Sequence, residues 1–340
     1  MVRFALRRLG ETVAVLLGAS VVIFVVLRVV PGDAVDILFS DEGGGTAEQR
    51  AQAAKDLGLD QPLPVQFLSF LGGIARADLG ESIRQRTPVV DLLKPALAHT
   101  IELTFASLAI AILIAVPIAI VSALRQNSRW DRGGTALSLF GISMPSFWQG
   151  IMLILLFSVT FPIFPASGVI DANSSLQPVT GFTTVDAVLT GNWAALSSAL
   201  SHLVLPAFTL GTTTAAMIAR LLRSSLLEVK NLEFVEALRA RGLARHVVIR
   251  HMLRNALPAT VIVLGSRLGT LLGGTLVVEV VFGWPGLGWL LITSLDNRDY
   301  PIVQGAVLLA TLLVVLSNLL ADLIHGWLDP RVNARRSVKT

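Results

Sequence analysis

Apolar residues in this chain gather into long runs separated by polar, arginine-bearing stretches. Six runs are long enough to cross about 30 Å of hydrocarbon as helix, at 1.5 Å per residue. They fall at 9–30, 98–124, 134–161, 199–222, 257–281 and 302–325. The fourth is the least apolar, since it holds His202, Pro206 and Arg220. The pattern predicts an all-α polytopic membrane protein with six transmembrane helices. Arg3, Arg7 and Arg8 precede the first run, as they would in a signal peptide. That run is too long for the apolar region of a signal peptide, and no Ala-x-Ala-like site follows it. It reads as an uncleaved first span.

Basic residues set the expected orientation. With the N-terminus inside, the inner segments carry Arg3, Arg7 and Arg8, then Arg125, Arg129 and Arg132. The 220–256 segment adds eight more, and the tail adds Arg331, Arg335, Arg336 and Lys339. The outer 162–198 loop has none, and 283–301 has only Arg298. The 31–97 segment has six, but so long a loop is largely exempt from the rule. Both termini are expected on the cytoplasmic side of the membrane. Only 15% of residues are charged, against about 25% in soluble domains, and the mean hydropathy is +0.71. The net charge is +4, in loops rather than on one face, so no nucleic-acid partner is indicated. There is no cysteine, which excludes disulfides and thiolate chemistry.

The chain divides into a first helix (1–30), an extracytoplasmic segment (31–97), a transmembrane domain (98–330) and a cytoplasmic tail (331–340). Within 31–97, Gly43-Gly44-Gly45 marks a break. Ala47–Leu57 reads as a polar helix stopped by Gly58, and a second amphipathic run follows from Val65 to about Ala75. At this length the segment is expected to be a small domain. Gly265, Gly269 and Gly273 recur every four residues in the fifth span. Such a stripe lets two helix backbones approach closely. Packing between subunits and packing within one bundle both fit.

The segment 223–256 breaks the membrane pattern. Asn231 is the expected N-cap of a short helix. Glu233 and Glu236 suit the positive end of its dipole, and Arg239 and Arg241 its other end. Leu232, Val235 and Leu238 share a face, with Phe234 beside it, and Gly242 ends the helix. About ten residues make a marginal helix in water, so it needs something to pack on. Docking to a soluble partner and lying on lipid headgroups are both open.

Three charged or polar features lie inside the spans. Glu279, near the outer end of the fifth, must face water or a partner. Arg28 and the imidazole of His99 are the expected partners, in a structural latch or an outer gate. Arg267 is ten residues into the same span, where it either lines a path and meets a substrate carboxylate or pairs with another helix. Thr209, Thr212, Thr213 and Thr214 either present hydroxyls to that path or bond their own helix.

Catalytic signatures are missing. No Gly-x-x-x-x-Gly-Lys-[Ser/Thr] occurs, and Lys55, Lys94, Lys230 and Lys339 all lie outside glycine loops. His246 and His251 are five apart, the wrong spacing for two ligands on one helical face. Gly-x-Ser-x-Gly is also absent. An intramembrane enzyme would want paired acids or histidines inside the spans, and only isolated ones occur. A stand-alone channel should conduct as a purified single chain.

Glu236-Ala237-Leu238, Gly242 and then Leu257-Pro258 resemble the "EAA" loop of binding-protein-dependent ABC importers, with Leu in the third position. Further matches run in order along nearly the whole chain. They include Pro31-Gly32-Asp33, Leu57-Gly58-Leu59-Asp60-Gln61-Pro62, Asp78-Leu79-Gly80 and Pro145-Ser146-Phe147-Trp148. Pro165-Ala166-Ser167-Gly168, Gly273-Gly274, Pro285-Gly286-Leu287-Gly288, Asp299-Tyr300-Pro301 and Asp329-Pro330-Arg331 continue the series. The chain is thereby similar to the dipeptide, oligopeptide and nickel permease family, in its B-type subunit. The resemblance implies a type I ABC importer permease fold that carries short peptides, or else a nickel chelate, glutathione or another small solute. It implies a second homologous permease, two ATPase subunits that bind ATP and Mg, an extracytoplasmic substrate-binding protein and surrounding membrane lipid. No cofactor is expected on this chain. Glu233, Phe234, Glu236, Ala237, Leu238, Arg239, Arg241 and Gly242 become the expected ATPase-coupling set. Glu279, Arg267, Arg28 and Thr212 become candidates for the path or gate.

Overall fold

A computed structural model describes residues 2–29, 46–56, 58 and 60–328. Pro31-Gly32-Asp33, the Gly43-Gly44-Gly45 break, Leu57, Leu59, Asp329-Pro330-Arg331 and the tail lie outside the described residues, as do the side chains of Arg3, Arg7 and Arg8. The described elements are helical: α1 (Val2–Val29), α2 (Ala47–Asp56), α3 (Leu63–Ala75), α4 (Val89–Leu124), α5 (Arg129–Ser143), α6 (Ser146–Ile154), α7 (Thr183–Leu189), α8 (Trp193–Lys230), α9 (Glu233–Ala240), α10 (Arg245–Gly274), α11 (Leu276–Val281), α12 (Leu287–Asp296) and α13 (Tyr300–Leu328). Among the described residues five helices are long and apolar enough to cross a bilayer, and a bent pair makes up to six.

The bent pair is the third expected span. Its two halves, Arg129–Ser143 and Ser146–Thr160, meet at 101°. Pro145 explains the break: it has no N–H to continue the ladder, and it forces the preceding Met144 into extended backbone (φ −82, ψ 129). Past α6 the chain winds more loosely over Leu155–Thr160, and Phe161 N–H donates to Leu156 O at 2.9 Å. Ser128 caps α5 by accepting from Asp131 N–H. Asn192 caps α8 by accepting from Ala195 N–H at 3.0 Å.

α8 is the central helix and pairs most extensively with α4. Their seam is built from small residues: Ala111, Ala115, Ala119 and Ala123 on α4 face Ala215, Ala219 and Leu222 on α8, all buried. Without a hydrophobic force between helices in lipid, such close backbone approach is what holds them. The glycine stripe works likewise inside this subunit. A Cβ on Gly265, Gly269 or Gly273 would meet Ala321, Ser317 or Val314 of α13 at 2.6, 3.2 and 2.6 Å. By contrast α1, α5 and α6 expose large apolar side chains, among them Val22, Leu137, Phe140 and Phe147. That surface suits hydrocarbon.

Val89 and Leu93 at the start of α4 pack with Leu287 and Ile302 at one end of the bundle. Val235 of α9 packs with Ala123, Val229 and Val248 at the other. Among the described side chains between Thr46 and Pro88, the buried ones are Ser82 and Ile83, and both bond or pack onto the bundle. Asp299 accepts from Ser82 Oγ at 2.5 Å and from Ile83 N–H at 3.2 Å. Phe67 and Phe70 of α3 stack around Phe24 of α1.

Candidate functional site

α9 is short and would not hold alone. Val235 is fully buried, and Phe234 and Leu238 pack half-buried beside it on a cluster from α4, α8 and α10. The opposite face carries Glu233, Glu236, Ala237 and Ala240, all exposed, with Arg239 and Arg241 exposed towards its end. The protein itself therefore occupies the apolar face, and a polar face with two alanines at its centre is left open. The N-cap is Leu232, not the expected Asn231. Asn231 instead ends α8: its N–H donates to Glu228 O at 3.3 Å, and Leu232 N–H donates to Val229 O at 3.1 Å. At the far end Gly242 has φ +71, its N–H reaches Arg239 O at 2.9 Å, and Leu243 N–H reaches Leu238 O at 3.3 Å. This pair of bonds is the left-handed stop that glycine adopts without strain. It sets the angle between α9 and α10.

Glu279 lies at the opposite end and is 0% exposed. Neither expected partner reaches it. Its carboxylate accepts from Thr100 Oγ1 (2.8 Å), Thr275 Oγ1 (2.6 Å), Gly288 N–H (2.7 Å) and Trp289 N–H (3.1 Å). The last two are free amides in the first turn of α12, where the helix dipole also favours an anion. Thr100 in turn accepts from Leu287 N–H at 2.8 Å. One carboxylate thus ties α4, α11 and α12 together. The Pro285-Gly286-Leu287-Gly288 turn follows from it, since a Cβ on Gly286 would lie 2.5 Å from the Glu279 carboxylate. Gly288 has the same need: its Cβ would sit 2.5 Å from Leu276 Cα.

The four candidate path residues have four separate surroundings. Arg28 donates to Gln66 Oε1 from Nε (3.2 Å) and Nη2 (2.8 Å), and its guanidinium lies 4.6 Å over the Phe24 ring. His99 approaches Glu102, at 3.7 Å, rather than Glu279. Thr212 accepts from Gln149 Nε2 at 2.7 Å and donates to Thr209 O at 3.0 Å. Both Thr212 and Gln149 line a cavity of about 240 Å³ between α4, α5, α6 and α8. Thr209 and Thr214 bond carbonyls of their own helix, Leu205 O and Leu210 O. Arg267 donates from Nε and Nη2 to the sulfur of Met217, at 3.1 and 2.9 Å.

Sequence reading missed three polar anchors. Arg223 grips Asp131 through Nε–Oδ1 (2.6 Å) and Nη2–Oδ2 (2.8 Å), joining α8 to α5. The Ser128-x-x-Asp131 spacing was a legible helix-start signal, though it does not name Arg223. Glu102 accepts from Thr184 N–H and Oγ1 at 2.7 and 2.6 Å, fixing α7 to α4. Asp186 accepts from Val179 N–H, Thr180 N–H, Thr180 Oγ1 and Gly181 N–H at 2.6–3.1 Å. Burial would raise the Asp186 carboxyl, but the bonds from Thr180, Val179 and Gly181 outweigh it and hold the group below the usual aspartate range. A lowered folded value stabilises the fold at pH above about 4. That contribution disappears as pH falls through the folded value. Asp186→Asn should loosen this loop by about 3 kcal/mol. Hydrogen exchange at Val179–Gly181 should then run about a hundredfold faster at pH 7. In the unsubstituted protein, protection should decline only below about pH 4.

A bundle of helices long and apolar enough to cross a bilayer, with a short helix seated by its apolar side on one end, defines a class: a multi-pass membrane protein. The comparisons agree with that class. The model of the binding-protein-dependent transport system inner membrane component family matches residues 115–334, and that of its N-terminal membrane component matches 1–104. The chain belongs to this family. It is 39% identical over 340 residues to the dipeptide transport system permease protein DppB of Escherichia coli, covering 99% of this chain and all of that one. It is 39% identical over 337 residues to the di/tripeptide transport system permease protein DppB of Pseudomonas aeruginosa, with 99% of this chain covered and all of that one. A dipeptide permease of Alkalihalophilus pseudofirmus is 35% identical over 333 residues, covering 98% of this chain and 99% of that one.

Proposed function

We propose that this chain forms half of the translocation path of an ATP-driven importer of short peptides. The observation that carries the reading is identity of 35–39% along the full chain to permeases of dipeptide systems. A second homologous permease supplies the other half. Two ATPase subunits, which bind ATP and Mg, dock at the cytoplasmic face, and a substrate-binding protein delivers cargo from outside. Both termini and α9 are then cytoplasmic, and Glu279 lies at the outer end.

In this reading Glu233, Glu236, Ala237, Arg239 and Arg241 form the contact with the ATPase. The small side chains of Ala237 and Ala240 let a groove close on the helix, and the charges set its register. Phe234, Val235 and Leu238 transmit the push, because they join the ends of α4, α8 and α10 in one cluster. An interfacial helix would turn its apolar side to lipid, whereas here that side faces the protein. ATP binding draws the two ATPases together, the paired α9 helices move with them, and the bundle exchanges one opening for the other. Covalent chemistry stays on the partners.

The test is co-purification and uptake. The chain expressed with its neighbouring subunits should copurify with an ATPase. In vesicles, the assembly should import a labelled dipeptide only with ATP and the binding protein. Import of a nickel chelate or glutathione in place of the dipeptide would move the cargo assignment. Conduction by the purified single chain without ATP would refute the proposal.

A further inference from the structure

Arg267 stands ten residues beyond Leu257, about 15 Å along the helix and so near the middle of the hydrocarbon. It carries a permanent charge. Among the described residues its guanidinium bonds only the thioether of Met217, a weak acceptor that cannot neutralise it. The side chain is partly exposed, and Ser266 and Thr270 beside it on α10 are exposed as well. From Ala259 to Leu272 the exposed positions of α10 are Ala259, Ser266 and Thr270. None is a large apolar residue, in contrast to the valines and leucines that α1 turns outward. The opposite side of α10, with Gly265 and Gly269, packs against α13. A small, hydroxyl-bearing face around an arginine is a poor surface for lipid, since intramembrane charges face water or a partner.

We infer that this face of α10 lines the path and that Arg267, with Ser266 and Thr270, receives the α-carboxylate of the passing peptide. The inference rests on the importer reading. Peptides differ in their side chains but share one terminal carboxylate, so a path of broad cargo range has that group to hold. A guanidinium takes a carboxylate through two parallel N–H···O bonds. Met217 orients the fork without competing strongly for it, so no resident ion pair has to be broken. The absence of a fixed counter-charge among the described residues also keeps the stop transient, as passage through a path requires.

The test uses the complete assembly in vesicles, with Arg267→Gln and Arg267→Lys. Gln should lower dipeptide uptake about tenfold or more, whereas Lys, which keeps the charge but loses the fork, should fall between Gln and the parent. A dipeptide with a photoreactive side chain, trapped by vanadate, should label residues 263–274 in the parent and lose that labelling in Gln. Undiminished uptake by Gln, or labelling confined to other helices, would overturn the inference. Loss of the second permease from the purified Gln assembly would also overturn it, by placing the charge at a subunit contact. Failure of the parent assembly to import any peptide would instead bring down the importer reading, and the unsubstituted arm shows that separately.

Discussion

Glu279→Ala is expected to destabilise the protein by about 4 kcal/mol, the net cost of leaving several buried donors without their acceptor. Four donors lose their acceptor at once: the hydroxyls of Thr100 and Thr275 and the amides of Gly288 and Trp289. Each buried donor left unpaired costs about 1–3 kcal/mol, and water entering the gap recovers part of that. The first turn of α12 also loses the anion that its dipole favours. Glu279→Gln should be milder, because its carbonyl oxygen still accepts while its NH2 faces donors. The measurement is thermal unfolding of the purified protein in detergent, with an expected drop of about 10 °C for Ala and a smaller one for Gln. An unchanged midpoint for Ala would mean that the carboxylate does not hold α4, α11 and α12 together. Because Thr100 and Leu287 belong to the same network, Thr100→Val should be strongly non-additive with Glu279→Ala.

The Glu279 site shows where sequence reading stopped. The cost of an isolated acid in an apolar span was legible, and so was the need for a partner. The partner was not, because Thr100 lies 179 residues away and two of the donors are backbone amides with no side-chain signature. Arg223 and Asp131, 92 residues apart, were hidden in the same way. The spans themselves were legible, since an apolar run of sufficient length has few alternatives to a membrane helix. Pro145 was visible in the third, but the size of the bend is set by what α6 packs on, including Phe282 against Gly150. The stripe of Gly265, Gly269 and Gly273 announced a close contact without naming the helix, and its neighbour is α13 of the same chain. Ala111, Ala115, Ala119 and Ala123 carried an equally regular signal for the α4–α8 seam. Asn231 misled because Asn suits a helix start and a helix end alike, and here α8 continues to Lys230.

Glu236→Arg and Gly242→Val should both abolish most transport while leaving the protein in the membrane, for two different physical reasons. Glu236 is exposed on the open face of α9, away from the buried Val235 cluster. Reversing its charge leaves the fold alone and opposes any complementary groove. An interface residue of this kind is worth about 2 kcal/mol or more, so uptake should fall about thirtyfold. Gly242 has open space where a Cβ would be built, so valine meets no clash. What it meets is the left-handed backbone at φ +71, which costs a non-glycine residue about 1–2 kcal/mol and a β-branched one more. The chain relieves that strain by unwinding the stop, which swings α9 relative to α10. Val235 still seats the first turn of α9 on its cluster, so the displacement falls on the last turn of the helix. The check is the amount of permease in the membrane, the ATPase retained on purification and dipeptide uptake, measured together. Membrane levels within about twofold, with retained ATPase reduced in both variants, would place the defect at the α9 contact. Normal uptake by Glu236→Arg would show that the open face of α9 meets no motor.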